Sequence, residues 1–279
     1  MVWPGPVTPP THVFDLRGFS VLESDGNPTL LLLHAAGLDR TSWDDVIVRI
    51  PGFARTVAID LPEVAYDRNA VPLLAEHVAA RITELGLHRP HVVGHSLGAS
   101  VALELACRVP VAAVTGFCAL GFHTRTAMCA TKMRALMGVV RAAGPVVRQR
   151  LLDSRAFHRV IMSGLSARPS AIEAAVVAAD VNSLVGSDLV ALTRFACRYT
   201  FVGAERLAAT PVNLVWARQD RVVPPCDARR AARLVPHARH TAIVDAGHLV
   251  MRDDPDGTAA VVHACHSQLM RDLQRRAAG

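Results

Sequence analysis

The sequence predicts an α/β fold: a mostly parallel, doubly wound sheet of about eight strands with a helical lid inserted after the sixth strand. Three observations predict it. Short apolar runs of strand length alternate with amphipathic helical stretches through the first 120 residues. Several of these runs, such as Thr29–Leu33, are apolar without interruption, as in strands buried on both faces of a sheet. Between about 123 and 208 the strand-like runs vanish, and they resume at Pro211. The predicted organisation is therefore a core of residues 1–122 and 209–279 and a helical lid of residues 123–208.

In chain order, His12–Leu16 and Phe19–Glu23 read as two short strands around Arg17-Gly18. Thr29–Leu33 is the first fully apolar strand and runs into His34-Ala35-Ala36-Gly37. Trp43, Val46, Ile47 and Ile50 follow at helical spacing, and Pro51-Gly52 stops that helix. Thr56–Ile59 is the next strand, Val71–Leu85 an amphipathic helix, and Gly86 its expected cap. A strand beginning at His91 leads into Ser96 and a further helix, and Val111–Leu120 makes another buried strand. Within the insertion, Ala, Arg, Met and Val recur at helical spacing, broken at Gly144-Pro145, Gly164 and Arg168-Pro169. Pro211–Trp216 and Thr241–Val244 read as strands, with Asp227–Leu234 helical between them and Asp256–Arg276 a terminal helix.

Composition narrows the function classes. The chain has 279 residues, 51% of them hydrophobic, enough for one large domain with an insertion. No apolar run is long enough to predict a transmembrane helix, and the Pro-rich start lacks the basic and apolar regions of a signal peptide. The six cysteines show no C-x-x-C pairing and read as reduced thiols, which implies a cytoplasmic protein. No metal-ligand spacing appears, and no cofactor is expected. The formal charge is +6, but neither a recognition motif nor a basic run points to nucleic acid.

Gly94-His95-Ser96-Leu97-Gly98 fits the G-x-S-x-G turn between a strand and a helix. The turn is sharp enough that a side chain two residues before or after the serine would collide with the strand or the helix. Asp220 follows a late strand, and His248 follows the last one. The order Ser96, Asp220, His248, each at a strand's carboxyl end, suits nucleophilic catalysis: a base to take the serine proton and an acid to orient the base. Each residue also has an ordinary reading, as a helix-start serine, a turn-forming aspartate and a surface histidine.

Taken together, these segments resemble the α/β-hydrolase superfamily from about Phe19 to Leu273, and small capped serine esterases in particular, such as the carboxylesterases acting on pimeloyl-carrier-protein methyl ester. Leu31–Leu38, with Trp43 behind it, is similar to their HGxG oxyanion segment. Two departures stand out: Ala35 replaces the usual glycine, and Asp60–Val64 lacks the Gly-His-Gly that often follows this strand. The resemblance implies Ser96, Asp220 and His248 as catalytic residues and the N–H groups of Leu97 and Ala36 as an oxyanion hole. His95 and Phe122 are candidate substrate-binding residues, His95 being equally readable as a solvated side chain.

The implied reaction is cleavage of an ester, lactone or thioester through an acyl-enzyme. The same residues would serve carbon–carbon bond hydrolysis or a lyase or cyclase step, and a ligand receptor on the same fold is a further alternative. Serine in place of aspartate at residue 96 disfavours an epoxide hydrolase. From Arg125 to Arg168 the insertion carries nine basic residues against the single acid Asp153. That face is either simply solvated or attracts an acidic partner, an acyl-carrier protein or CoA thioester. Met128, Met133, Met137 and Met162 suit either an apolar acyl pocket or packing of lid on core.

Overall fold

The computed structural model describes residues 28–50, 55–122 and 142–278. Among the described residues six parallel strands form one sheet in the order β2-β1-β3-β4-β5-β6. They are β1 (Leu30–Leu33), β2 (Thr56–Ile59), β3 (His91–His95), β4 (Ala113–Phe117), β5 (Val212–Ala217) and β6 (Arg239–Ile243). The two strands expected at 12–16 and 19–23, and the helix stop at 51–52, lie outside the described residues.

The apolar runs form strands because parallel strands covered on both faces need apolar side chains in both directions. Every residue of β1 is fully buried. The register sets Leu33 beside Ile59 and Gly94, His95 beside Phe117, and Ala217 beside Ile243. All these strands therefore end on one edge of the sheet. The chain crosses from β2 back over β1 to β3, which makes β1 and β3 the switch point where α/β sheets bind ligands.

Helices α1 (Asp44–Ile47), α2 (Ala70–Glu84), α3 (Leu97–Ala106), α8 (Asp227–Leu234), α9 (Val250–Asp253) and α10 (Pro255–Ala278) accompany the sheet. The amphipathic pattern at 71–85 is α2, and it ends as expected in a cap at Gly86, whose N–H donates to Thr83 O while Leu87 N–H donates to Ile82 O. The stretch starting near Trp43 is shorter than its spacing suggested. It divides into a 3₁₀ turn, Arg40–Trp43, and the single turn α1, and it still buries Trp43, Val46 and Ile47.

Among the described residues four α-helices lie between β4 and β5: α4 (Pro145–Leu152), α5 (Arg155–Met162), α6 (Ala174–Gly186) and α7 (Leu189–Ala196). Residues 123–141, which include Met128, Met133 and Met137, lie outside the description. The apolar faces of α5 and α6 form a second core with two loops of the sheet edge. Phe157, Ile161, Met162, Val177, Val181 and Leu184 pack with Ala35, Leu38 and Leu249. Met162 is thus a packing residue at this junction. Among the described residues no helix is long and apolar enough to cross a membrane.

Candidate active site

Ser96 follows β3 and precedes α3 with φ 53° and ψ −112°, a strained conformation for a residue with a Cβ. The turn is held because its two glycines let backbone touch backbone. A Cβ on Gly94 would strike the Gly98 carbonyl and stand 2.5 Å from Ala99 N. A Cβ on Gly98 would stand 2.5 Å from His34 O and meet the Leu33 carbonyl. The second contact brings the serine turn against the end of β1. Ser96 N–H also donates to Phe117 O at 2.8 Å, tying the turn to β4.

The three residues singled out from the sequence come together. His248 Nε2 lies 3.0 Å from Ser96 Oγ, and His248 Nδ1 lies 2.8 Å from Asp220 Oδ2. The other carboxylate oxygen, Oδ1, accepts the N–H of Val222 at 2.7 Å and of Val223 at 2.8 Å. Burial works to raise the Asp220 pKa, but the His248 charge and hydrogen bond and the two backbone N–H groups outweigh it, so the carboxyl sits below its ordinary value. Asp220 therefore stays ionised and acts as acceptor to His248 Nδ1–H. The loops that carry Asp220 and His248 are also cross-tied, with Arg218 N–H on Ile243 O and Gln219 N–H on Ala246 O.

Ala36 lies in the turn after β1, and Leu97 is the first residue of α3, where a helix leaves its N–H groups without intrahelical partners. Among the described residues no acceptor takes either N–H. His34 holds the Ala36 loop in place. Its Nδ1–H donates to Ala35 O and its Nε2 accepts Leu61 N–H, both at 2.8 Å. Burial keeps this imidazole neutral by lowering its pKa. Asp60, read as a departure from the usual loop, accepts the N–H of Arg40 at 2.8 Å and pairs with its guanidinium.

A cavity of about 650 Å³ adjoins both Ala36 and Leu97. The loop 61–67 and the end of α6 form its far walls, with Tyr66, Ser183 and Ser187 among the lining residues. Glu63, Asp67 and Asp188 also line it, and among the described residues no Lys or Arg does.

His95 and Phe122, expected to touch substrate, are both fully buried and, like Ser96 and His248, are not among the residues that line this cavity. His95 turns beneath His248, its Nε2–H donating to His248 O at 2.7 Å, and burial followed by the neighbouring His248 lowers its pKa to about 3. Phe122 packs edge-on against Phe201 and Trp216 in the core. Cys118, at φ 50° just beyond β4, has its thiol pushed well up by burial and by the Asp220 charge. His95, Cys118 and His248 bring ligand atoms within 4.8 Å of one another. Both His248 nitrogens are already engaged by Ser96 and Asp220, so a cation held there would dismantle that chain.

A model of the Alpha/beta hydrolase family matches residues 30–261. The magnesium-chelatase 30 kDa subunit of Rhodobacter capsulatus is 29% identical over 250 residues, covering 86% of each chain. Among solved structures, a thermophilic esterase from Thermogutta terrifontis superposes with a TM-score of 0.65 at 19% identity, over 88% of this chain and 92% of that one. The 2-hydroxy-6-oxo-6-phenylhexa-2,4-dienoate hydrolase of Rhodococcus sp. strain RHA1 superposes at 0.68 and 18% identity, over 86% and 90%. At these identities the two superpositions speak to the fold.

Proposed function

The chain belongs to the alpha/beta hydrolase family, and from that membership we propose a serine hydrolase that cleaves an ester, thioester or lactone through an acyl-enzyme. One observation carries the reading: the continuous hydrogen-bonded chain Ser96–His248–Asp220 at the carboxyl edge of the sheet. His248 Nε2 takes the Ser96 proton as Oγ attacks the carbonyl carbon. The carbonyl π pair moves onto oxygen, and the N–H groups of Ala36 and Leu97 receive the oxyanion. Collapse expels the alcohol or thiol, which leaves with the proton from His248. Water repeats the sequence on the acyl-enzyme and frees the acid. Asp220 holds Nδ1–H throughout and offsets the imidazolium charge. We read α4–α7 as a cap over this edge, in line with their packing on Ala35, Leu38 and Leu249. Free thiols at Cys107, Cys118, Cys226 and Cys265 support a cytoplasmic setting.

The test is labelling with a fluorophosphonate probe followed by peptide mapping. The wild type is expected to carry the label on Ser96 and the Ser96→Ala variant to carry none. Label elsewhere, or persisting in the variant, sinks the assignment.

The cavity supports a substrate preference. Three carboxylates, with no Lys or Arg beside them among the described lining residues, repel an anionic acyl group, such as the dienoate named for the Rhodococcus hydrolase, and accept a neutral or cationic one. Exposed Arg150, Arg155 and Arg159 on α4 and α5 carry the opposite sign on the outside, where an acidic acyl carrier would meet them. We expect kcat/KM for the p-nitrophenyl monoester of succinate to fall at least about tenfold below that of the matched butyrate, a gap of about 1.4 kcal/mol. The 4-(trimethylammonio)butyrate ester should match or exceed butyrate. Combining Glu63→Gln with Asp67→Asn should narrow the gap, and added salt should narrow it further while slowing hydrolysis of a carrier-bound thioester. Equal rates on all three esters at low salt refute the preference.

A further inference from the structure

Asp253 closes α9, five residues beyond His248, and is 6% exposed. Its Oδ2 accepts the N–H of Gly247, the residue before the base, at 2.7 Å, and the N–H of Ala167 at 2.8 Å. Its Oδ1 accepts the Ser166 hydroxyl and, at 3.3 Å, the N–H of Arg168, which is shared with Ser166 Oγ at 3.0 Å. The Arg168 guanidinium in turn donates to the Asp253 carbonyl. A single buried carboxylate thus receives donors from the loop carrying His248 and from residues 166–168 of the insertion.

Three further links join the same parts. Leu249 N–H donates to Leu165 O at 3.0 Å. The two backbones run so close at Gly247 that a Cβ there would stand 2.8 Å from Ala167 N and from Leu165 O. Arg252 forms a bidentate pair with Asp180 of α6, both contacts at 3.0 Å and both side chains buried. On the acid side, Arg221, next to Asp220, donates to Ser163 O at 2.5 Å.

We propose that Asp253 is a positioning residue for the reaction, fixing the His248 loop against residues 163–168, so that this part of the insertion is a standing support of the base and not a moving door. The proposal rests on His248 being the base of the serine hydrolase proposed above. The chemistry calls for a carboxylate: four donors converge, and only an acceptor with two oxygens satisfies all of them. An amide of the same shape has one oxygen, so its NH₂ either faces the N–H groups of Gly247 and Ala167 or displaces the Ser166 hydroxyl and Arg168 N–H from the oxygen they now share. The displacement reaches His248 through one peptide unit, Gly247, and a shift of about 1 Å in a catalytic group costs on the order of 10²-fold in rate.

The experiment compares wild type, Asp253→Asn, Asp253→Glu and Ser166→Ala. It measures kcat and KM for a neutral p-nitrophenyl ester, circular dichroism, and the low-field ¹H resonance of the His248 Nδ1–H held by Asp220. Asp253→Asn is expected to lower kcat by about 10- to 100-fold with KM within about threefold, and to shift or broaden that resonance in a folded protein. Asp253→Glu, which keeps the charge but lengthens the side chain, should not restore kcat. Ser166→Ala keeps the carboxylate and every N–H donor; it is the folded readout should Asp253→Asn fail to fold, and it should lower kcat by about 3- to 10-fold while moving the resonance in the same sense. Unchanged kcat and an unmoved resonance in the folded variants overturn the proposal. Failure of the serine hydrolase reading would be seen separately, as wild-type activity in Ser96→Ala, and the resonance reads the His248–Asp220 contact whichever group is the nucleophile.

Discussion

Ser96→Ala, His248→Ala and the double variant are expected to lose nearly the same factor in ester kcat, on the order of 10⁶. The two side chains act as one unit: Oγ is a poor nucleophile until Nε2, 3.0 Å away, takes its proton, and Nε2 has nothing to deprotonate once Oγ is gone. Removing either removes the step, and removing the second costs little more. About 10³- to 10⁴-fold acceleration over water should remain, from binding and the Ala36 and Leu97 donors. Asp220→Asn is expected to fall by about 10⁴ for a different reason. Asp220 Oδ1 accepts two buried N–H groups, from Val222 and Val223. An asparagine keeps its oxygen there and so turns its NH₂ toward His248 Nδ1. The imidazole must then accept at Nδ1 and carry its proton on Nε2, where it faces Ser96 and cannot act as a base. Rates for the four variants, each corrected for folded fraction, decide the matter. If the single losses multiply in the double variant, the two residues are independent and no triad operates.

The sheet and the meeting of Ser96, His248 and Asp220 were legible in the sequence because each leaves a local trace. Buried parallel strands leave apolar runs, and the serine turn leaves two glycines at fixed spacing, both enforced by backbone contacts. The last strand shows the limit. Thr241–Val244 was the apolar stretch, but β6 runs Arg239–Ile243, since this edge strand exposes Arg239, His240, Thr241 and Ala242 and needs no apolar run. Side-chain direction is a second limit. His95 sits in the nucleophile turn, yet its ring goes under His248, and Phe122 goes into the core; pairing with β4 and packing on Trp216 decide this, and neither is written nearby in the chain. Asp253 was illegible for the strongest reason. Its partners are backbone N–H groups, which any residue supplies, and three of its donors lie more than 80 positions away. The cavity acids come likewise from separate segments, Glu63 and Asp67 beyond β2 and Asp188 ahead of α7.

The buried histidines predict a loss of stability in mild acid. His91 is fully buried at the start of β3, stacked on His266 of α10 with the two Nδ1 atoms 3.3 Å apart, and its Nε2 meets Thr115 Oγ1 at 2.9 Å. One Nδ1 must donate and the other accept, so charging both rings would set two N–H groups against each other. Burial first, then the His266 ring, lowers the His91 pKa to about 3, and His95 lies at about 3 chiefly from burial. Unfolded, each ring regains an ordinary value of about 6.5. Between those values the unfolded chain binds protons that the folded chain does not, so stability falls as pH falls from about 6.5 toward 3. At pH 5 each ring contributes a loss of about 2 kcal/mol relative to pH 7.5, set by the unfolded value alone once the folded one is far below 5. His91 and His95 together should remove about 4 kcal/mol, a large part of the stability of a typical domain, and His34, lowered for the same reason, acts in the same sense. Carboxylates contribute little in this window, since their ordinary values lie near 4. Urea unfolding at pH 7.5, 6 and 5 measures the loss, and His91→Gln should reduce the difference between pH 7.5 and pH 5 by about 2 kcal/mol, the share of that one ring, whatever it does to stability at pH 7.5. A free energy of unfolding constant to within about 1 kcal/mol across that range would mean that these rings are charged, or hydrated, inside the fold.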